Sequence, residues 1–246
     1  MSGPRAQPLW RRVVAEGLGT ALLVTVVVGS GIAAARLSPG DTGLQLLENA
    51  FATALGLAVL ILMLGPISGA HFNPVVSAVD CWFGQRNQGL SMKDLAAYVP
   101  AQVLGAIAGA VLANLMYGEQ AVSWSSTDRS ATHLWIGETV ATAGLIVLIF
   151  SLARSGRSAA APAAVGAYIG AAYWFTSSTS FANPAVTIGR AFSDTFAGIA
   201  PESVPAFVVF QVIGAAVGAV LVLALYPATA SADEAVVPHS ESGVRS

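Results

Sequence analysis

Charged residues are scarce in this chain. Asp, Glu, Lys and Arg make up 10% of its 246 residues, where a soluble domain carries roughly a quarter. With 55% hydrophobic residues, the deficit points to lipid rather than water as the surrounding solvent. The net charge of −2 lacks the basic footprint that a nucleic-acid partner requires. Cysteine is nearly absent too. A lone Cys81 excludes an internal disulfide framework and a cysteine-based zinc cluster, and it reads as a small buried residue. No Ser-His-Asp constellation, HExxH motif or pair of catalytic carboxylates occurs, so the sequence argues against an enzyme and calls for no cofactor or metal.

What is present is a series of long apolar runs. Six are long enough to cross a bilayer or nearly so, at 9–35, 45–64, 95–117, 134–152, 160–175 and 204–226. The first follows Arg5, Arg11 and Arg12 as a signal peptide would, but it lacks an obvious cleavage site and is long enough to span, so it is expected to be retained. Two shorter stretches, 73–83 and 183–196, open on Asn-Pro and are too short to span. Proline suits the first turn of a helix, so both read as half-helices that enter the membrane and meet near its middle. Placing both termini in the cytoplasm puts Arg5, Arg11, Arg12, Arg86, Lys93, Arg154, Arg157 and Arg245 inside and only Arg36, Arg129 and Arg190 outside, as the positive-inside rule expects.

The two halves of the chain repeat each other. Glu16-Gly-Leu-Gly-Thr20 matches Glu138-Thr-Val-Ala-Thr142, Asn73-Pro-Val matches Asn183-Pro-Ala, and Gln102-Val-Leu-Gly-Ala106 matches Gln211-Val-Ile-Gly-Ala215. Three crossings per half make the second half inverted relative to the first, and such folds place the transport site at the midplane where broken helices meet. The chain is therefore expected to be an all-α membrane protein with six transmembrane helices and two re-entrant half-helices. Its units are a cytoplasmic N-terminus (1–8), a first repeat (9–117), an outer connecting loop (118–133), a second repeat (134–226) and a mobile cytoplasmic tail (227–246). Glu16 and Glu138, at the same repeat position, are expected to accept hydrogen bonds from the re-entrant loops, whose polar groups must be satisfied at membrane depth. The pairs Gly105/Gly109, Gly166/Gly170 and Gly214/Gly218 read as close helix-packing faces.

Two capped half-helices aim the positive ends of their dipoles at one central zone. Asn73 and Asn183 can each offer an amide donor there. A cation is disfavoured, while a neutral hydrogen-bonding solute is not. Paired boxes of this kind, Asn73-Pro74-Val75 and Asn183-Pro184-Ala185, inside a six-helix inverted repeat resemble the aquaporin and glycerol-channel family, over nearly the whole span 9–226. The first box departs from Asn-Pro-Ala only in Val75.

The resemblance implies a pore-lining His71 and an outer constriction of four positions. Three of them are Thr53, Ser180 and Val186. The fourth, on the fifth crossing, is Ala171 when counted back from Asn183 and Tyr173 when aligned on Ala164-Val165-Gly166, with Tyr173 preferred. Most of the family carries arginine where this chain has Val186. Valine supplies neither the charge nor the rigid donors of arginine, so the filter is read as neutral and wide. Arg190 lies one helical turn beyond Val186, and its repeat counterpart is Asp80. The pair either lines the two mouths or ties down neighbouring loops.

The stretch 176–199 resembles a bacterial subgroup associated with arsenic resistance that also lacks the filter arginine. This implies a bacterial inner-membrane channel for glycerol-like polyols, arsenite, methylated arsenicals and water, assembled as a homotetramer. The rivals are an ordinary water channel, which differs only in permeant, and an ion-coupled secondary transporter. No acidic residue beside either Asn-Pro box offers the transporter a coupling site.

Overall fold

A backbone in hydrocarbon must satisfy its own hydrogen bonds, and helices do so within one segment. The computed structural model of the chain describes residues 7–84 and 89–226, and the described residues contain helices and no strands. In order they are α1 (Leu9–Leu37), α2 (Thr42–Ser68), α3 (Pro74–Gly84), α4 (Met92–Met116), α5 (Thr132–Arg154), α6 (Ala161–Phe175), α7 (Pro184–Arg190) and α8 (Val204–Leu225). The expected tail at 227–246, most of the N-terminus and Arg86 lie outside the described residues.

Five of these helices are long and apolar enough to cross a membrane, α8 together with the turn that precedes it. The sixth crossing, α6, has 15 residues and rises only about 22 Å at 1.5 Å per residue. A 3₁₀ turn at Ser158–Ala160 leads directly into it and adds about 6 Å, which brings the segment close to the hydrocarbon thickness. α2 and α4 begin before their apolar runs because polar caps hold their N-terminal ends. Asp41 accepts from the Leu44 amide to start α2, and Ser91 and Asp94 form a reciprocal capping box at α4.

Helix pairs approach closely through glycine. On α4, a Cβ at Gly105 or Gly109 would collide with the carbonyls of Gly17 and Ala21 on α1. On α8, a Cβ at Gly214 would come 2.5 Å from Thr139 O, and one at Gly218 2.6 Å from Ala143 O, both on α5. α6 lies against α2 in the same way, with Gly166 over Ala54. Large apolar side chains such as Phe51, Leu55, Leu62, Leu104, Val140 and Leu221 stay exposed on the outside of the bundle, as lipid-facing positions require.

α3 and α7 are too short to cross and lie inside this frame. Sequence patterning predicts the second of them to run to residue 196, but it ends at Arg190. The chain leaves the helix there because the carbonyls of Ala191 and Phe192 accept from the amides of Ser125 and Ser123. Residues 118–131 are thereby folded back over the C-terminal end of α7.

Replacing Gly105 by Val should destabilise the protein by about 1–3 kcal/mol, since the new side chain has no space without moving α1. The apparent melting temperature of the detergent-solubilised protein reads this directly. An unchanged value would mean that α1 and α4 do not pack through this face.

Candidate functional site

The loops leading into the half-helices carry the polar burden of the bundle. Both are strained in the same way. Ala70 and Phe72 before α3, and Thr179, Ser180 and Ala182 before α7, have positive φ, a region that costs an L-residue about 1–2 kcal/mol. Two carboxylates hold these loops. The Glu16 carboxylate, fully buried, accepts from Ser68 Oγ at 2.6 Å, His71 N at 3.0 Å, Phe72 N at 2.7 Å and Gln102 Nε2 at 2.7 Å. The Glu138 carboxylate accepts from Phe181 N and Ala182 N at 2.9 Å each, and from Gln211 Nε2 at 2.6 Å. Each glutamine amide also reaches the first turn of a half-helix. Gln102 donates to Ser77 Oγ at 3.0 Å and Gln211 to Thr187 Oγ1 at 2.8 Å.

The two Asn-Pro corners are pinned to each other. Asn73 Nδ2 donates to Ala182 O at 2.8 Å, and Asn183 Nδ2 donates to Phe72 O at 2.7 Å. Their Oδ1 atoms cap the half-helices, Asn73 accepting from Val75 N and Asn183 from the amides of Ala185 and Val186. One hydrogen of each amide is thus committed across the junction, which leaves the second for a solute. Pro74 and Pro184 open the helices at the first turn, where Val75 and Ala185 are buried.

A narrow cavity of about 70 Å³ runs past this junction. One wall is apolar: Leu23 and Val27 of α1, Leu57 and Ile61 of α2, Leu145 and Ile149 of α5, Val165 and Ile169 of α6. The opposite wall is the two loops, from Ala70 to Asn73 and from Ser180 to Asn183. Among the described residues, the carbonyls of Ala70, His71, Ser180 and Phe181 accept no hydrogen bond from the protein. The arrangement is an oily face across from a row of free acceptors, suited to a small molecule with a hydrocarbon side and hydroxyls.

The residues singled out in the sequence fall as follows. Thr53, Tyr173, Ser180 and Val186 all line the cavity. Thr53 Oγ1 and Tyr173 Oη are hydrogen-bonded at 3.3 Å, and Ser180 Oγ is buried without a partner. Ala171, the other candidate on α6, is exposed on the lipid side. It lies two residues from Tyr173, about 200° round the helix at 3.6 residues per turn, so it cannot share the cavity. His71 lines the cavity, with Nδ1 3.1 Å from Ser77 Oγ. Asp80, read as a possible mouth residue, is not among the lining residues. Its carboxylate is held by the Leu90 amide at 3.0 Å, so it ties the chain after α3. Arg190 does line the cavity. It is buried, donates from Nε to Ala197 O, and stacks over Phe181.

Two contributions escape sequence reasoning. The apolar wall reads as ordinary core, although its signal is there: Leu23 and Leu145 stand seven residues after the paired Glu16 and Glu138, and Val27 and Ile149 eleven after them. Phe181 stands two residues before Asn183, as His71 does before Asn73, and the repeat could have marked it.

Glu138→Ala leaves two loop amides without acceptors at membrane depth, a loss of about 1.5–3 kcal/mol for each charged hydrogen bond. The expected result is a lower melting temperature and lost solute flux, with Glu138→Gln retaining part of both. Flux and stability equal to the original protein would show that the carboxylate does not hold the loop.

The model for the family described as Major intrinsic protein matches residues 4–182. The aquaglyceroporin AqpS of Rhizobium meliloti (strain 1021) is 51% identical over 207 residues, covering 84% of this chain and 86% of that protein. Human Aquaporin-2 is 36% identical over 160 residues, covering 62% of this chain and 56% of its own length. Among solved structures, the aquaglyceroporin from Plasmodium falciparum superposes with a TM-score of 0.64 over 87% of this chain and 96% of its own, at 20% identity, a likeness of fold.

Proposed function

This chain belongs to the major intrinsic protein family, as an integral membrane channel for small neutral solutes, and we propose that its permeants are glycerol-like polyols and arsenite alongside water. Methylated arsenicals belong to the same class. The observation that carries the reading is Val186. At the position three residues after Asn183, a buried valine faces the cavity and supplies no charge or donor. The remaining filter residues, Thr53, Tyr173 and Ser180, are hydroxyls.

Such a constriction suits a triol. Glycerol and As(OH)₃ are both uncharged near pH 7, of similar size, and carry three hydroxyls that can donate to the free loop carbonyls. The glycerol backbone, or the lone-pair face of arsenite, can lie along Leu23, Val27, Leu145 and Ile149. Support also comes from the 51% identical relative, whose name makes it an aquaglyceroporin. Solute is handed past the Asn73–Asn183 junction, where two helix dipoles disfavour cations. In the cell the chain sits in the inner membrane of a bacterium, with both termini cytoplasmic and the end of α7 facing outward. The orientation rests on the distribution of arginine and lysine. The working unit is a homotetramer with one pore in each subunit. Each subunit is two inverted repeats, 9–117 and 134–226, joined by the outer loop.

Val186→Arg tests this against a water-only channel. In proteoliposomes, the substitution should lower glycerol and arsenite permeability by about tenfold or more, corresponding to about 1.4 kcal/mol of barrier, while water permeability falls less. Triol flux that does not change would remove Val186 from the filter.

A further inference from the structure

We propose that Arg190, held on the ring of Phe181, is the charge-selecting residue of this pore: it repels cations at the outer mouth and donates to an oxygen acceptor on the passing solute. The proposal rests on the channel reading above and assigns the cationic group which Val186 does not supply.

Arg190 follows Val186 by one turn of α7, about 6 Å further along the axis on nearly the same face. Its side chain is 2% exposed and lines the same cavity as Val186, Ser180 and Tyr173. Two contacts fix it. Nε donates to Ala197 O, and the guanidinium carbon lies 3.4 Å from the Phe181 ring centroid, a stacking that suits a planar cation. Among the described residues, the two terminal nitrogens meet no acceptor, so the donors of the fork are free in a group that otherwise has no freedom.

The surroundings do not cancel this charge. Among the described residues the salt bridges are Arg12–Asp94 and Arg36–Glu119, neither of which involves Arg190, and no acidic side chain lines the cavity. The Glu138 carboxylate is committed to the loop amides and Gln211. A second cation reinforces the first. Arg129, from the connecting loop, is anchored to Gly198 O at 3.0 Å and lies 5.0 Å from the centroid of the same Phe181 ring.

An independent observation points to a ligand. Ser180 Oγ is buried, has no hydrogen-bond partner and lines this part of the cavity. A buried hydroxyl without a partner loses the full value of its hydrogen bond, and a solute hydroxyl beside Arg190 would restore it. Arg190 and Ser180 line the same cavity, and between them they offer cationic and hydroxyl donors to a small molecule rich in oxygen, either a neutral polyol in transit or a small monovalent oxyanion that lodges there.

Both arms can be read in proteoliposomes. The unaltered protein should pass glycerol and hold back methylammonium, a cation small enough for the pore. Arg190→Gln should slow glycerol a few-fold, since one donor to the solute is lost, and pass methylammonium roughly tenfold faster, the order expected for removing one poorly screened charge. Arg190→Lys should keep the cation out. Replacing chloride by formate on both sides should slow glycerol reswelling in the unaltered protein. Arg190→Gln that conducts glycerol but still excludes methylammonium would overturn the proposal. Should the Gln variant fail to fold, formate decides alone, and equal glycerol rates in formate and chloride overturn the proposal. Failure of the unaltered protein to pass glycerol sinks the permeant reading instead, which the water and methylammonium traces distinguish.

Discussion

The structure depends on one constraint: two non-helical loops must exist at membrane depth, where lipid offers their backbone groups no hydrogen-bond partner. Each loop is held by a single buried glutamate, Glu16 or Glu138, that accepts two consecutive backbone amides and the amide of a glutamine. Without those carboxylates, the positive-φ residues Phe72 and Ala182 would have strain and no compensation. With them, the loops become rigid rows of carbonyls, and the mutual donation of Asn73 and Asn183 across the junction follows.

That rigidity frees the rest of the bundle to be simple. The helices need only pack closely, which glycine allows at the α1–α4, α5–α8 and α2–α6 contacts, and present an apolar wall. The pore is then a gap between an oily surface and a fixed polar strip, the geometry that a small polyol complements. Val186 faces the cavity, and the guanidinium of Arg190, one turn further on, is stacked on the Phe181 ring.

Much of this was legible in the sequence because the repeat doubled each signal. One buried glutamate is ambiguous. Two at matched positions, each with a matched glutamine, point to a shared task at the loops. The same redundancy drew attention to the Asn-Pro corners. It failed where the halves diverge. The second half-helix stops at Arg190 because the connecting loop, which has no counterpart in the repeat, captures the carbonyls of Ala191 and Phe192. The fifth crossing could be counted to Ala171 or Tyr173, and only the turn of α6 separates the lipid face from the cavity. Asp80 and Arg190 occupy equivalent places in sequence, yet one caps a loop and the other lines the cavity. Pattern gives the position of a side chain along a helix, whereas its direction depends on neighbours distant in the chain, here Phe181 and Ala197.

What the unaltered pore conducts decides between a triol channel and a water channel. The most direct measurement is stopped-flow light scattering of proteoliposomes that face, in turn, gradients of sucrose, glycerol and arsenite at neutral pH. Rapid shrinkage is expected in all three, followed by reswelling in glycerol and arsenite with rates that rise linearly with concentration. Shrinkage without reswelling in both triols would mean that Thr53, Tyr173, Ser180 and Val186 enclose a pore for water alone, and would contradict the triol channel.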